Sequence, residues 1–111
     1  MVAQWTDADL DQALRALAHP VRRDILRRTV SGWASVSDLA SDYTMSFAAV
    51  QKHVAALQAA GLVEKVPVGR ERRVRAVPDK LARVRASLQQ LEALWRHRLD
   101  ALDDLLTEPR E

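Results

Sequence analysis

Three observations predict a mainly α-helical fold that carries one small β-hairpin and ends in a long helix. A short helical segment, a tight turn and a longer helical segment follow one another over residues 36–60. Two runs rich in β-branched residues, 62–66 and 72–77, bracket Pro67-Val68-Gly69. An apolar stripe of helical period then runs from Leu81 to Leu106. With 111 residues, 48% hydrophobic and 29% charged, the chain reads as a single domain over 1–111. Its core spans about 7–78 and its last helix about 79–106.

The elements follow in order. Leu10, Leu14 and Leu17, with Ala13 and Ala18, set a first helix at 7–18. Its early Asp7, Asp9 and Asp11 suit the positive end of the helix dipole. His19-Pro20 interrupts it, and Pro20 suits the first turn of a second helix, where its missing N–H is not needed. Val21, Ile25 and Leu26 form that helix's inner face, with Arg22, Arg23, Arg27 and Arg28 outside and Gly32 as a stop. Ser35-Val36-Ser37-Asp38 matches a capping pattern that opens a short helix at 36–42. After the turn Asp42-Tyr43-Thr44-Met45, Ser46 caps a helix at 47–60 with Val50, Val54 and Leu57 turned inward and Gly61 as its end. Leu62–Val66 and Arg72–Val77 make a two-stranded hairpin. Pro78-Asp79 starts the longest helix, 79–106. There Leu81, Val84, Leu88, Leu91, Trp95, Leu99, Leu102 and Leu106 fall within about 40° of one direction. At 1.5 Å per residue that helix is roughly 42 Å long. A small domain cannot cover such a stripe, so part of it should meet a second protomer.

Short helix, turn, longer helix and hairpin together make a winged helix-turn-helix, with the helix-turn-helix at 36–60 and the wing at 62–77. The net charge is only +2, but it is unevenly spread. Asp7, Asp9 and Asp11 open the chain, and Asp100, Asp103, Asp104, Glu108 and Glu111 close it against Arg110. Between them, Lys65, Arg70, Arg72, Arg73 and Arg75 outnumber Glu64 and Glu71. A basic middle between acidic ends points to a localised anionic partner, with a polynucleotide first in line, the alternative being a solvated charged surface. The helix-turn-helix layout makes that polynucleotide double-stranded DNA.

The exposed side of helix 47–60 offers Ser46, Phe47, Ala48, Gln51, Lys52 and His53. Gln can bind adenine in a bidentate way, Lys can reach guanine or phosphate, and Phe or Ala can pack on thymine methyls. Ser46 and the unpaired N–H groups at the helix start suit a phosphate. Four arginines within six residues, Arg70, Arg72, Arg73 and Arg75, exceed what protection of an edge hairpin requires. They suit the DNA backbone or a narrow minor groove. Leu10, Leu14, Leu88, Leu91, Trp95, Leu99, Leu102 and Leu106 are the candidate homodimer interface.

The sequence resembles the ArsR-type family of bacterial winged helix-turn-helix regulators over about residues 9–106. The resemblance is carried by Leu17-Ala18-His19-Pro20-Val21-Arg22-Arg23-Asp24-Ile25-Leu26 and Val36-Ser37-Asp38-Leu39-Ala40. It continues through Met45-Ser46-Phe47-Ala48-Ala49-Val50-Gln51-Lys52-His53-Val54, Leu57, Ala60-Gly61-Leu62-Val63 and Gly69-Arg70. It implies a homodimer, joined through its first and last helices, that represses transcription by occupying an operator. Two positions depart from the family pattern: Gln51 stands where Ser is common, and Val74 where Tyr is common in the second wing strand.

Metal sensing is widespread in that family, and the residues here argue against it. Ser35-Val36-Ser37-Asp38 replaces a Cys-containing motif, and cysteine is absent from the chain. Trp95 followed by Arg98-Leu99-Asp100-Ala101-Leu102 resembles the branch lacking metal sites. His97 and Asp100 have ligand spacing, with Asp104 on the same face, but Val84 and Ala86 occupy the partner positions and cannot ligate. No metal and no cofactor are expected. Lack of Cys also excludes disulfides and thiolate catalysis, and no Ser-His-acid, paired-carboxylate or Gly-rich phosphate motif suggests an enzyme. No run of about 18 apolar residues occurs, the N-terminus has no signal pattern, and a cytoplasmic setting is expected. His19 fits a helix cap, Trp95 and Trp5 fit packing along the dimer seam, and Trp33 is left without a role. The other reading is a winged-helix protein-interaction module without DNA binding.

Overall fold

The computed structural model describes residues 4–107. The closing Glu108, Arg110 and Glu111 lie outside the described residues. Local chemistry explains the helix starts. The first helix, α1 (Asp7–Leu17), opens on a capping box. Asp9 N–H donates to Thr6 Oγ1 (3.1 Å) and Thr6 N–H donates to Asp9 Oδ2 (2.9 Å). That bond from the Thr6 backbone holds the Asp9 carboxyl below its ordinary range. Helix α2 (Pro20–Val30) starts at a proline, and His19 Nδ1 accepts from Val21 N–H (3.2 Å), the cap role expected of it.

Two residues, Ala34–Ser35, form strand β1, and Ser35 then caps α3 (Val36–Asp42) by accepting from Asp38 N–H at 3.0 Å. Ser46 caps α4 (Phe47–Ala59) in the same way, through Ala49 N–H at 3.1 Å. Helix α4 stops in a Schellman motif: Gly61 N–H donates to Gln58 O and Leu62 N–H to Leu57 O, both at 2.9 Å. Gly61 takes φ +74, and a Cβ there would sit 3.0 Å from the Lys80 side chain.

Strands β2 (Val63–Val68) and β3 (Glu71–Ala76) form the wing. The sheet has three antiparallel strands rather than the expected two, in the order β1-β3-β2, with Ala34 opposite Val74 and Ser35 opposite Arg73. A two-residue strand leading straight into a helix is too short to show alternation in sequence. The wing turn also differs. Pro67 and Val68 belong to β2, and Gly69-Arg70 alone makes the turn. Gly69, at φ +62, supplies the positive first position that a type II′ turn takes. Pro67 is tolerated because β2 is an edge strand.

The core lies under the sheet and among α2, α3 and α4. Ile25, Leu39, Val50, Val54, Leu57, Leu62 and Val74 are its fully buried large side chains. Helix α5 (Pro78–Thr107) returns across α1 and then leaves the body of the protein. Trp5 indole N–H donates to Ser87 Oγ (3.2 Å), and Val84 is the one buried residue of α5. Beyond it the stripe is uncovered in the single chain: Leu88 is 46% exposed, Trp95 69% and Leu106 76%. Leu91, Leu99 and Leu102 are exposed with them, Leu14 of α1 is on the exposed side, and Leu10 is half-buried. The radius of gyration is 19.6 Å, against about 13 Å for a compact domain of this size.

Leu57 touches the core from the middle of the sequence and leaves a cavity when shortened. Leu57→Ala should lower the unfolding free energy by about 3 kcal/mol in a urea titration.

Candidate nucleic-acid interface

Burial of Val50, Val54 and Leu57 fixes the rotation of α4. Phe47, Ala48, Gln51 and Lys52 are thereby left exposed on its N-terminal half, beside exposed Ser46. The Ser46 hydroxyl is engaged with Ala49 N–H, so donors for an anion at this end come from the other N–H groups of the first turn.

His53 is placed apart from this group. It is half-buried in the seam between α2 and α4, where its Nδ1 accepts from Arg22 Nε (3.2 Å). Its ring centroid lies 4.3 Å from that of His19. Burial, and then the neighbouring His19 and Arg22, push its pKa below the ordinary value of 6.5. A second seam ties the turn of the helix-turn-helix to α2. The Tyr43 hydroxyl donates to the Asp24 carboxylate, and Arg28 pairs with Asp42 while its guanidinium lies 5.6 Å from the Tyr43 ring centroid. Burial, then the bond to Asp24, raises the Tyr43 pKa. The partnership with Tyr43 and Asp42 raises that of Arg28.

The wing separates its cations by strand alternation. Val74 is fully buried, so Arg72, two residues before it on β3, lies on the face turned toward α4. Lys65 is opposite Val74 on β2 and shares that face. Arg73 and Arg75 lie on the other face. Arg75 pairs with Glu64, its cross-strand neighbour. Arg73 pairs with Glu71 (Nε to Oε2, 3.2 Å), and its guanidinium stacks 3.5 Å from the centroid of the Trp33 ring. Arg70 and Arg72 take no part in the ion pairs found among the described residues. Together with Lys65, Phe47 and Gln51, and with the carboxylates of Asp38 and Glu71, they line a groove of about 300 Å³ between the wing and the starts of α3 and α4.

Two members of this arrangement are missing from the sequence-derived site. Lys65 counts there only toward charge, although its two-residue spacing from buried Val63 and its place opposite Val74 carry the facing. Trp33 gains its role only through β1, which brings it beside β3. Among the described residues, no group of three or more His, Asp or Glu side chains is placed to hold a metal ion. Nor is any described helix long and apolar enough to cross a membrane.

Residues 17–66 match a family described as a helix-turn-helix domain, a segment running from the end of α1 into β2. The HTH-type transcriptional regulator Rv2034 of Mycobacterium tuberculosis is 38% identical over 80 residues, spanning 72% of this chain and 75% of that protein. The solved ArsR-like transcriptional regulator from Rhodococcus sp. RHA1 is 38% identical with a TM-score of 0.78, over 93% of this chain and 96% of its own. The chain belongs to the ArsR-type family of winged helix-turn-helix transcriptional regulators. In fold, the ArsR-type match extends to the homodimeric winged helix-turn-helix DNA-binding domain of Mb0332 from Mycobacterium bovis. That domain is 22% identical, with a TM-score of 0.63 over 99% of this chain and 98% of its own. The segment matched by the helix-turn-helix family contains α3, α4 and most of β2, three of the elements that bound the groove.

The His53 environment gives this regulator a pH-dependent stability. A histidine whose folded pKa lies below its unfolded value binds fewer protons when folded. Its contribution is therefore present above about pH 6.5 and is lost as the pH falls toward the lower folded value. Urea midpoints should fall from pH 7.5 to 5.5, and His53→Gln, which keeps an acceptor for Arg22, should flatten that part of the profile.

Proposed function

We propose that this regulator is a homodimeric, sequence-specific repressor that reads the major groove with α4 and holds the DNA backbone or minor groove with its wing. Residues 7–78 form the DNA-binding part and residues 79–106 the dimerisation helix. The observation that carries the reading is the groove between α4 and the wing. It sets Phe47 and Gln51 beside the wing cations Lys65, Arg70 and Arg72, with Ala48 and Lys52 exposed on the same half of α4.

Within that reading the residues divide their work. Gln51 and Lys52 have the donors and acceptors that distinguish base edges, and Phe47 and Ala48 have the apolar surface that packs on a thymine methyl. Ser46 lies at the helix start where a phosphate fits. Arg70 and Arg72, with Lys65, neutralise phosphates or enter a narrow minor groove. Arg73 and Arg75 contribute less, because Glu71 and Glu64 already neutralise them. His53 supports α4 from behind instead of touching DNA. Such a repressor works in the compartment that holds the DNA, the cytoplasm of a bacterial cell, and its task is recognition without catalysis.

The apolar stripe of α5 supports the homodimer, because Leu88, Leu91, Trp95, Leu99, Leu102 and Leu106 are uncovered in a single chain. Leu14 and Leu10 of α1 flank the same seam. Two readers related by a two-fold axis suit half-sites about 34 Å apart.

Selection of operators from a random duplex library supplies the test. Gln51→Ala should relax preference at one or two positions of the selected sequence. Arg72→Ala and Lys65→Ala should each weaken all sequences alike and lower the salt slope of binding by about 1. Arg75→Ala should do so much less. Unchanged binding by all four variants, or no duplex enriched by the parent, sinks the reading and leaves a protein-interaction module.

A further inference from the structure

From Val84 to Leu106 the stripe on α5 has an internal symmetry, and Leu81, which opens the stripe, lies outside it. Val84, Leu88, Leu91, Trp95, Leu99, Leu102 and Leu106 are spaced by 4, 3, 4, 4, 3 and 4 residues, the same in both directions about Trp95. A helix laid antiparallel on its own copy, with the two-fold axis at Trp95, therefore matches every exposed layer from Leu88 to Leu102. Leu88 meets the partner's Leu102, Leu91 the partner's Leu99, and Trp95 the partner's Trp95, while Val84 is buried in its own protomer and leaves the partner's Leu106 to the groove beside it.

One flank of the stripe carries charges with a matching symmetry. Arg85, Glu92, Arg96 and Asp103 lie within about 40° of one another around the helix. All four are exposed, and each follows a stripe residue directly. In antiparallel helices like flanks face each other. In the register centred on Trp95 this ladder places Arg85 beside the partner's Asp103 and Glu92 beside the partner's Arg96. The two-fold repeats each pair. In a parallel pairing this flank would instead face the opposite one, Ser87, Leu94, Arg98 and Leu105, which offers no ladder of opposite charge. That opposite flank has no alternation of sign and so sets no competing register.

From this we infer that α5 is a self-recognition element, in which the palindromic stripe supplies the contact and the Arg85–Glu92–Arg96–Asp103 ladder fixes antiparallel orientation, register and choice of a second copy of this chain as partner. The inference rests on the homodimer reading and adds the residues that choose the partner. A groove of about 620 Å³ beside the start of α5, lined in part by Leu17, Leu81, Val84 and Leu88, lies where that register brings the partner's Leu102 and Leu106. In the single chain Arg96 Nε donates to Glu92 Oε1 (2.9 Å) within the helix. Both side chains remain exposed and can exchange that bond for one across the seam.

Charge reversal tests it. One variant carries Arg85→Glu and Arg96→Glu, making the flank wholly acidic; another carries Glu92→Lys and Asp103→Lys, making it wholly basic. By sedimentation, each alone should dimerise about tenfold or more weakly than the parent, while an equimolar mixture should recover dimers of mixed composition. Recovery on mixing shows that both variants fold. A dimeric parent whose two variants dimerise equally well unmixed overturns the ladder and leaves the homodimer reading standing. A parent that stays monomeric at micromolar concentration overturns both. Because the chain has no cysteine, register can be read separately. Trp95→Cys should form a symmetric disulfide on oxidation and Leu88→Cys should not, the reverse result overturning the register.

Discussion

Val50, Val54 and Leu57 are fully buried against a core that includes Ile25, Leu39, Leu62 and Val74, and that packing fixes two orientations together. It turns the outer side of α4 to solvent with Phe47, Gln51 and Lys52 on it. It also fixes which face of the sheet is inward, because Val74 is shared between sheet and core. Once Val74 points in, alternation decides the side of every wing cation without further instruction. A one-residue slip of β3 would exchange Arg72 for Arg73 at the groove and bury a charge in place of Val74. The cost of that burial keeps the register, and with it the placement of positive charge.

The same packing explains what could be read from the sequence. Helical spacing, serine caps, a stop at Gly61 and a glycine in the wing turn are local signals, and each marks an element that formed within one or two residues of its expected bounds. Strand β1 carried no such signal, since two residues cannot show a period. Trp33 therefore had no legible role, although its ring ends 3.5 Å from the Arg73 guanidinium. Four arginines in the wing were legible as charge, but their division into paired and unpaired members was not. That division depends on Glu64 lying across from Arg75 and on Glu71 closing the turn, which are facts of pairing register. The seam of His19, His53 and Arg22 was hidden for the same reason, since it joins residues 31 apart in the sequence.

Helix α5 presents the opposite case, in which the sequence is more complete than the single chain. Its stripe was legible along its whole length, yet within one protomer only Val84 is buried. At about 25 cal/mol per Å² of apolar surface removed from water, a row of exposed leucines and a tryptophan is a strong drive toward association. Hydrophobic contact alone is poorly directional, and a regular leucine stripe accepts several offsets. Charges at its flank are individually weak in water. Four of them in a self-complementary order, as proposed for α5, would nonetheless discriminate between offsets that the stripe accepts almost equally, because wrong registers set like charges together.

On the proposed reading, dimerisation and DNA binding become linked quantities. One protomer presents few unpaired cations beside its reading helix, and the affinity available from a handful of phosphate contacts falls steeply with salt. Joining two such readers on one rigid seam makes the second docking intramolecular, and the gain is large only when the spacing of the readers matches the spacing of the half-sites. A seam that slips by a turn of helix moves each reader by about 5 Å along the other's axis and forfeits that match. On the proposed dimer, register in α5 and readout by α4 are therefore one requirement. The residues proposed to choose the partner, far from the DNA, would also decide which half-site spacings the pair can occupy.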